Sequence, residues 1–160
     1  MNSEMPKKRE IFSQDKAFFR WNTSVFREKI TQYCGKISAF LGVSSFIKQT
    51  LKFALENYGT EPEYLWIKTP DTCVLRNNPK GKWYGIIMDL PRSTFDLGEG
   101  YLDVINVKIR PEQRDILLMK EGFFPAYHMN KKHWITILLD GTVDIDIITD
   151  LLDTSYDLTS

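Results

Sequence analysis

The chain has 160 residues, about the length of one domain with a short extension. Hydrophobic residues make up 42% and charged residues 26%, a composition that fits a buried core and excludes a disordered chain. The 21 basic and 21 acidic side chains cancel, which excludes a uniformly basic protein that coats nucleic acid. Binding to nucleic acid would therefore need a local cationic patch.

The cysteine count and the hydropathy pattern indicate a soluble cytoplasmic protein. Cys34 and Cys73 are too few for a disulfide framework or a four-ligand zinc site, and they favour a reducing compartment. No apolar run approaches the roughly 18 residues that span a bilayer. The first ten residues lead into no apolar stretch, so a secretory signal is not expected.

Charge is unevenly distributed along the chain. Residues 1–36 carry eight basic and four acidic side chains, whereas the C-terminal stretch carries Asp140, Asp144, Asp146, Asp150, Asp153 and Asp157. Because these aspartates would repel phosphates, a nucleic-acid-binding face is expected to point away from them.

The first half of the chain is predicted to be helical. Apolar residues recur at helical spacing over residues 12–42, with capping residues at 22–24 that separate a short helix from one of about four turns. A further helix is predicted over 45–58, with Gly59 as its C-terminal cap. The amphipathic pattern of residues 1–45 favours packing on the core or on a partner chain, which predicts a monomer or a weak dimer through N-terminal helices.

From Glu63 onward the pattern predicts short strands and two more helices. The predicted strands cover 64–68, 73–77, 82–90, 102–109 and 134–139. The predicted helices run from about 110 to 120, with Pro111 in the first turn, and from about 144 to 155. Because no long crossovers separate consecutive strands, we expect an α+β fold with an antiparallel sheet and helices packed mainly on one face.

The segment from Ala126 to Trp134 holds both histidines, two lysines and an amide within nine residues. A metal site at His128 and His133 is disfavoured, because no Cys or acidic residue lies close in sequence and the lysines repel a cation. Acid–base catalysis by one histidine lacks an accompanying nucleophile motif or phosphate-binding glycine loop. We therefore expect no catalytic residue, no metal and no cofactor.

An anion-binding surface is the functional interpretation of this segment that we favour. Lys131 and Lys132 supply positive charge, His128 and Asn130 supply hydrogen bonds, and neighbouring aromatic rings offer flat faces. The alternative is a solvated turn whose aromatic residues belong to the core, and the two lysines taken alone favour it.

A second basic cluster is predicted at the tip of a hairpin. Arg76, Lys80 and Lys82 surround a turn between two strands, which is typical of a hairpin that straddles a nucleic-acid backbone. It is equally typical of an ordinary exposed hairpin, since charged tips protect sheets from aggregation.

Two pairs of carboxylates are candidate acid–base groups. Glu61 and Glu63 flank a proline, and Asp89 and Asp103 lie near strand ends. Glycoside hydrolysis needs a set carboxyl separation that spacing along the chain cannot show, so solvated or capping carboxylates are the favoured interpretation.

Residues 58–158 resemble the MmcQ/YjbR family of small bacterial proteins, usually described as predicted DNA-binding proteins. The resemblance rests on Tyr58–Trp66, Lys82–Tyr84, Asp103–Lys108 with Pro111 and Glu112, Pro125–Trp134 and Ser155–Leu158. It implies a CyaY-like fold and DNA binding, with no established enzymatic reaction. Iron binding is not implied, because only the C-terminal aspartates come near an acidic ridge.

These observations predict a helical extension over 1–45 and a family-like domain over 46–160. The leading hypothesis is a DNA-binding protein without enzymatic activity, with double-stranded DNA as the partner. The alternatives are a small-ligand or protein-interaction domain with a pocket lined by His128, Asn130, Trp83 and Tyr127, and an enzyme that uses a histidine as its base. The leading hypothesis requires the two basic segments to meet on one surface.

Overall fold

The computed structural model describes residues 45–77 and 81–160, which belong to one compact unit, Ser44–Ser160. The extension predicted over 1–45, except Ser45, lies outside the described residues, and so does Lys80 of the hairpin turn. Within the described part of the chain, no helix is both long and apolar enough to cross a membrane.

The fold is α+β with a five-stranded antiparallel sheet, as the pattern predicted. The helices and strands are α1 (Ser45–Tyr58), β1 (Cys73–Asn77), β2 (Lys82–Pro91), β3 (Tyr101–Lys108), α2 (Arg114–Leu118), β4 (Phe123–Pro125), β5 (Trp134–Leu138) and α3 (Ile145–Thr159). The strand order is β1-β2-β3-β5-β4, and every neighbouring pair is antiparallel.

The sheet buries apolar side chains on both faces, because alternate residues of a strand point to opposite sides. The larger cluster joins strand residues such as Ile105 and Ile137 to residues of all three helices, among them Leu117 and Leu152. The helices therefore pack on one face. The smaller cluster is built on other residues of β2, β3 and β5. Its buried members are Leu90, Leu102, Val104 and Leu138, and Met88, Phe95, Phe124 and Tyr127 pack against them.

Aromatic rings join α1 to α3 near the end of each helix. Tyr58 stacks on Tyr156 with ring centroids 3.9 Å apart, and its hydroxyl donates a hydrogen bond to Asp153. Burial, and then the Asp153 carboxylate, raise the pKa of Tyr58 far above its ordinary value. Gly59 follows with φ +64° and ends α1, because glycine adopts the left-handed conformation without a Cβ penalty.

The strand predicted over 64–68 is wrong. Only Glu63 forms a bridge, with Val74 of β1, and the next four side chains are exposed instead of alternating between core and solvent. Strand β4 was missed, because its three residues, which follow Gly122 and end on a proline, carry too little periodicity to be recognised.

Two predicted helices have different bounds. The segment predicted as a helix over 110–120 begins as a 3₁₀ turn, Pro111–Gln113, and is α-helical only over Arg114–Leu118. The last helix continues beyond residue 155 to Thr159. Ser155 and Tyr156 are buried within it, so its apolar face extends further than the apolar periodicity indicated.

Candidate nucleic-acid interface

The strand register brings the two basic segments to the same end of the sheet. Asn77 pairs with Lys82 across the β1–β2 hairpin, and Lys108 at the end of β3 pairs with Trp134 at the start of β5. We call this the basic end: the end where β1 and β3 finish and β2 and β5 begin. Neighbouring strands lie about 4.8 Å apart, so β2 and β5, with β3 between them, are separated by about 10 Å.

The basic end carries four exposed cations, Lys82, Arg110, Lys131 and Lys132, while Lys108 is half-buried. Among the described residues, none of the four exposed side chains forms an ion pair. Their charges are therefore available to an anion from solvent.

Arg76, which we predicted to contact phosphate, is engaged within the protein. Its Nε lies 3.0 and 3.2 Å from the two carboxylate oxygens of Glu63, and its Nη1 donates to the Gly81 carbonyl at 2.8 Å. The guanidinium lies 5.9 Å from the centre of the Trp83 ring. Arg76 thus holds the hairpin together and has its charge balanced by Glu63; its contact with phosphate stays a prediction.

A β-bulge shapes the hairpin beside this arginine. Leu75 pairs with Gly85, but the next residue, Arg76, pairs with Trp83, so Tyr84 is the extra residue. A Cβ on Gly85 would lie 3.0 Å from Leu75 and 3.2 Å from Leu152, so α3 packs directly over the bulge.

Asn130 and His128 shape their loop. The Asn130 Oδ1 accepts a hydrogen bond from the Lys132 amide at 3.0 Å, and its carbonyl accepts the amides of His133 and Trp134, each at 3.0 Å. Asn130 therefore forms an Asx turn that leaves both lysines exposed. His128 is exposed at φ +53°, with its ring 4.1 Å from that of Tyr127. Contacts of either side chain with DNA stay predictions.

A buried polar network that the sequence analysis missed anchors this loop to the sheet. The Asn106 amide donates to the Tyr127 carbonyl at 2.8 Å, and the Tyr127 amide donates to the Thr136 hydroxyl at 3.0 Å. Thr136 in turn donates to the Asn106 Oδ1 at 2.5 Å. Asn106 and Thr136 are fully buried. The signal in the sequence was a polar residue near the middle of each of two apolar strands, Asn106 in β3 and Thr136 in β5. A buried polar side chain needs a hydrogen-bond partner inside the protein.

Helix α3 is bonded to the same end of the sheet. The Ser155 hydroxyl donates to the Tyr84 carbonyl at 2.5 Å and accepts the Lys108 amide at 2.7 Å. Asn77 donates to the carbonyl of Tyr156 at 3.2 Å. The last turn of α3, with Asp157 exposed, therefore also reaches the basic end, so this aspartate does not lie apart from the cations.

The opposite end of the sheet, where β1 and β3 begin and β2 and β5 finish, is the acidic end. Asp89 pairs with Asp103 across β2 and β3. Burial, followed by the charges of Asp89 and Asp71, raises the pKa of Asp103. In residues 45–77 and 81–160, no group of three or more His, Cys, Asp or Glu side chains is placed to hold a metal ion.

The aromatic rings assigned to a hypothetical pocket have different neighbours. Trp83 contacts Trp66 and Arg76, whereas Tyr127 packs on the apolar cluster around Val104. Within residues 45–77 and 81–160, no ring contact joins Trp83 to Tyr127, so these two rings do not outline the pocket that we considered.

The fold and this interface define a small α+β protein with a cationic sheet end. Residues 55–158 match the YjbR family. The chain is 42% identical over 109 residues to the uncharacterized protein YyaQ of Bacillus subtilis, a match that covers 68% of this chain and 92% of YyaQ. The chain belongs to the YjbR family, which confirms the resemblance drawn from its motifs.

Solved structures share the fold. A crystal structure of a protein from Pseudomonas syringae is 40% identical, with a TM-score of 0.68, and the match covers 71% of this chain and 97% of that one. A crystal structure of a Deinococcus radiodurans protein is 27% identical, with a TM-score of 0.52 and coverage of 67% and 72%.

Proposed function

We propose that this chain is a DNA-binding protein that holds backbone phosphates at the basic end of its sheet. The observation that carries the proposal is the register of β2, β3 and β5, which places Lys82, Arg110 and the Lys131–Lys132 pair at one end. Phosphate contacts of this kind supply affinity that depends little on sequence.

The strands next to the exposed cations lie close together. Lys82 begins β2, and Lys131 lies three residues before β5. The two strands are about 10 Å apart, and a DNA strand carries one phosphate per about 3.4 Å of helix rise. One short stretch of backbone can therefore reach both strands. Because Arg76 and Arg114 are engaged within the protein, we expect about four phosphate contacts.

Binding to duplex DNA at different salt concentrations tests the proposal. Four contacts predict that log K falls against log salt concentration with a slope of about −3 to −4. Fluorescence anisotropy with a labelled duplex of about 20 base pairs, between about 25 and 200 mM salt, gives this slope. Absence of binding at the lowest salt concentration would disprove the proposal.

A matched pair of double variants locates the surface. Lys131→Glu with Lys132→Glu reverses two charges at the basic end and should abolish binding. Lys48→Glu with Lys120→Glu makes the same change in net charge on two exposed residues. Lys48 is two residues after Phe46, whose ring lies beside Gly141 beyond β5, and Lys120 is two residues before Gly122, whose carbonyl accepts the Leu138 amide at the end of β5. If the basic end is the interface, the second variant keeps most of its affinity.

The same proposal makes the chain a cytoplasmic binding protein that catalyses no reaction. The absence of catalysis is supported by Glu63, one of the carboxylates considered as acid–base groups, because it is paired with Arg76. Among the described residues, neither His128 nor His133 has an ion pair or a side-chain hydrogen bond with a carboxylate.

A further inference from the structure

The segment that follows Glu63 exposes four consecutive large apolar residues. Tyr64, Leu65, Trp66 and Ile67 are exposed by 40%, 46%, 38% and 100% of their surface. A single exposed apolar residue is ordinary, but a run of four, two of them aromatic, is typical of a surface that binds a ligand.

Trp66 is held in place by a second tryptophan at the basic end. Its ring makes an edge-to-face contact with that of Trp83, with centroids 6.0 Å apart and an interplanar angle of 87°. Trp83 adjoins the exposed Lys82 and lies beside the guanidinium of Arg76. Since Glu63 and Gly81 fix that guanidinium, the two indoles are positioned before any ligand arrives.

This arrangement suits stacking of a nucleobase. In an edge-to-face pair the partner covers at most one face of either ring, so Trp83 leaves at least one face of the exposed Trp66 ring uncovered. Nucleobases stack on tryptophan irrespective of their identity, because every base has a π-face. A neighbouring cation then holds the phosphate that the stacked base carries.

We propose that Trp66, supported by Trp83, is a stacking site for an unpaired base, so that this chain prefers single-stranded nucleic acid to a blunt duplex. In a duplex the base faces are covered by neighbouring pairs except for the outer face of each end pair, so an unpaired strand offers far more base faces to the indole. The inference rests on the proposed function, since the same cations hold the backbone in both cases.

Binding of three probes to the full chain tests the inference. The probes are an oligothymidylate of about 15 nucleotides, an abasic oligomer of equal phosphate number, and a blunt duplex. The wild-type protein should bind the oligothymidylate more tightly than the other two. Trp66→Ala should weaken binding of the oligothymidylate by about 5- to 100-fold and leave the affinities for the abasic oligomer and the duplex unchanged.

Two further variants separate stacking from a general loss of apolar surface. Leu65→Ala removes apolar surface from the same segment and should bind all three probes as the wild type does. Trp66→Phe keeps an aromatic face and should recover part of the lost affinity. Thermal unfolding of each variant should match the wild type, because both side chains are substantially exposed.

The outcomes distinguish this inference from the proposed function. If no probe binds at low salt, both fail. If all three probes bind with the expected salt dependence but Trp66→Ala weakens none of them, or weakens all of them equally, only the stacking site is disproved.

Discussion

The two ends of the sheet carry opposite charge. The basic end presents Lys82, Arg110, Lys131 and Lys132. The acidic end gathers Asp89 of β2 and Asp103 of β3, with Asp71 two residues before β1 and Asp140 beyond β5. The chain has no net charge, so its average composition conceals this separation. An electrostatic surface for an anion can therefore exist on a neutral protein.

The two ends also differ in how buried groups are satisfied. At the basic end, the Ser155 hydroxyl joins backbone groups of β2 and β3 through two short hydrogen bonds. At the acidic end, burial and neighbouring carboxylates disfavour the charged form of Asp103. We conclude that buried hydrogen bonds stabilise the basic end, while the partial burial of the Asp103 carboxylate, and then repulsion from its neighbours, destabilise the acidic end.

The largest effect is expected from Ser155→Ala at the basic end. The change removes two hydrogen bonds and leaves the buried Tyr84 carbonyl and Lys108 amide without the hydroxyl, a loss of about 2–4 kcal/mol in the free energy of unfolding. Thr154→Ala, one residue earlier, removes an exposed hydroxyl and should change stability by less than about 0.5 kcal/mol. Denaturant unfolding measures both, and equal stabilities would contradict this account.

Glu63→Gln should strengthen nucleic-acid binding at the basic end. Removing the carboxylate leaves the charge of Arg76 unbalanced, so the slope of log K against log salt concentration should steepen by about one. The exposed Glu112→Gln provides a control with the same change in net charge. An unchanged slope in Glu63→Gln would show that Arg76 serves only the hairpin.

Asp103→Asn should stabilise the acidic end in a pH-dependent way. The pKa of Asp103 is higher in the folded protein than its ordinary value of 3.8. The wild type therefore loses stability as the pH rises from 3.8 through the pKa of the folded state. The variant should therefore gain at most about 1 kcal/mol near neutral pH, and the gain should vanish in acid. Thermal unfolding at several pH values measures it. The exposed Asp96→Asn provides a control with the same change in net charge.

The smallest effect is expected at Cys73, the first residue of β1 at the acidic end. Burial raises the pKa of its thiol to about 12, so almost no thiolate is present at pH 8. In a Cys34→Ser variant, where Cys73 is the sole thiol, a thiol reagent should react in denaturant and hardly at all with the folded protein. Rapid reaction of the folded protein would show that the acidic end opens locally.

Local sequence patterns predicted most helices and strands, but they failed where a strand depends on pairing with a neighbouring strand. Helix α1 and strand β1 have the predicted bounds, since apolar periodicity and flanking turn residues mark them. The exposed segment after Glu63 was mistaken for a strand, because its apolar residues have strand-like composition without a strand partner. The three residues of β4 become a strand only through pairing with β5.

The sequence by itself determined the family, the α+β class and the two basic segments, because motifs, periodicity and charge are properties of neighbouring residues. Only the tertiary structure decided which charges are available: strand pairing brought Lys82 to the same end as Lys131 and Lys132, and the bridge to Val74 set Glu63 against Arg76. Electrostatic and hydrogen-bond energies depend on distance in space, which separation along the chain does not fix.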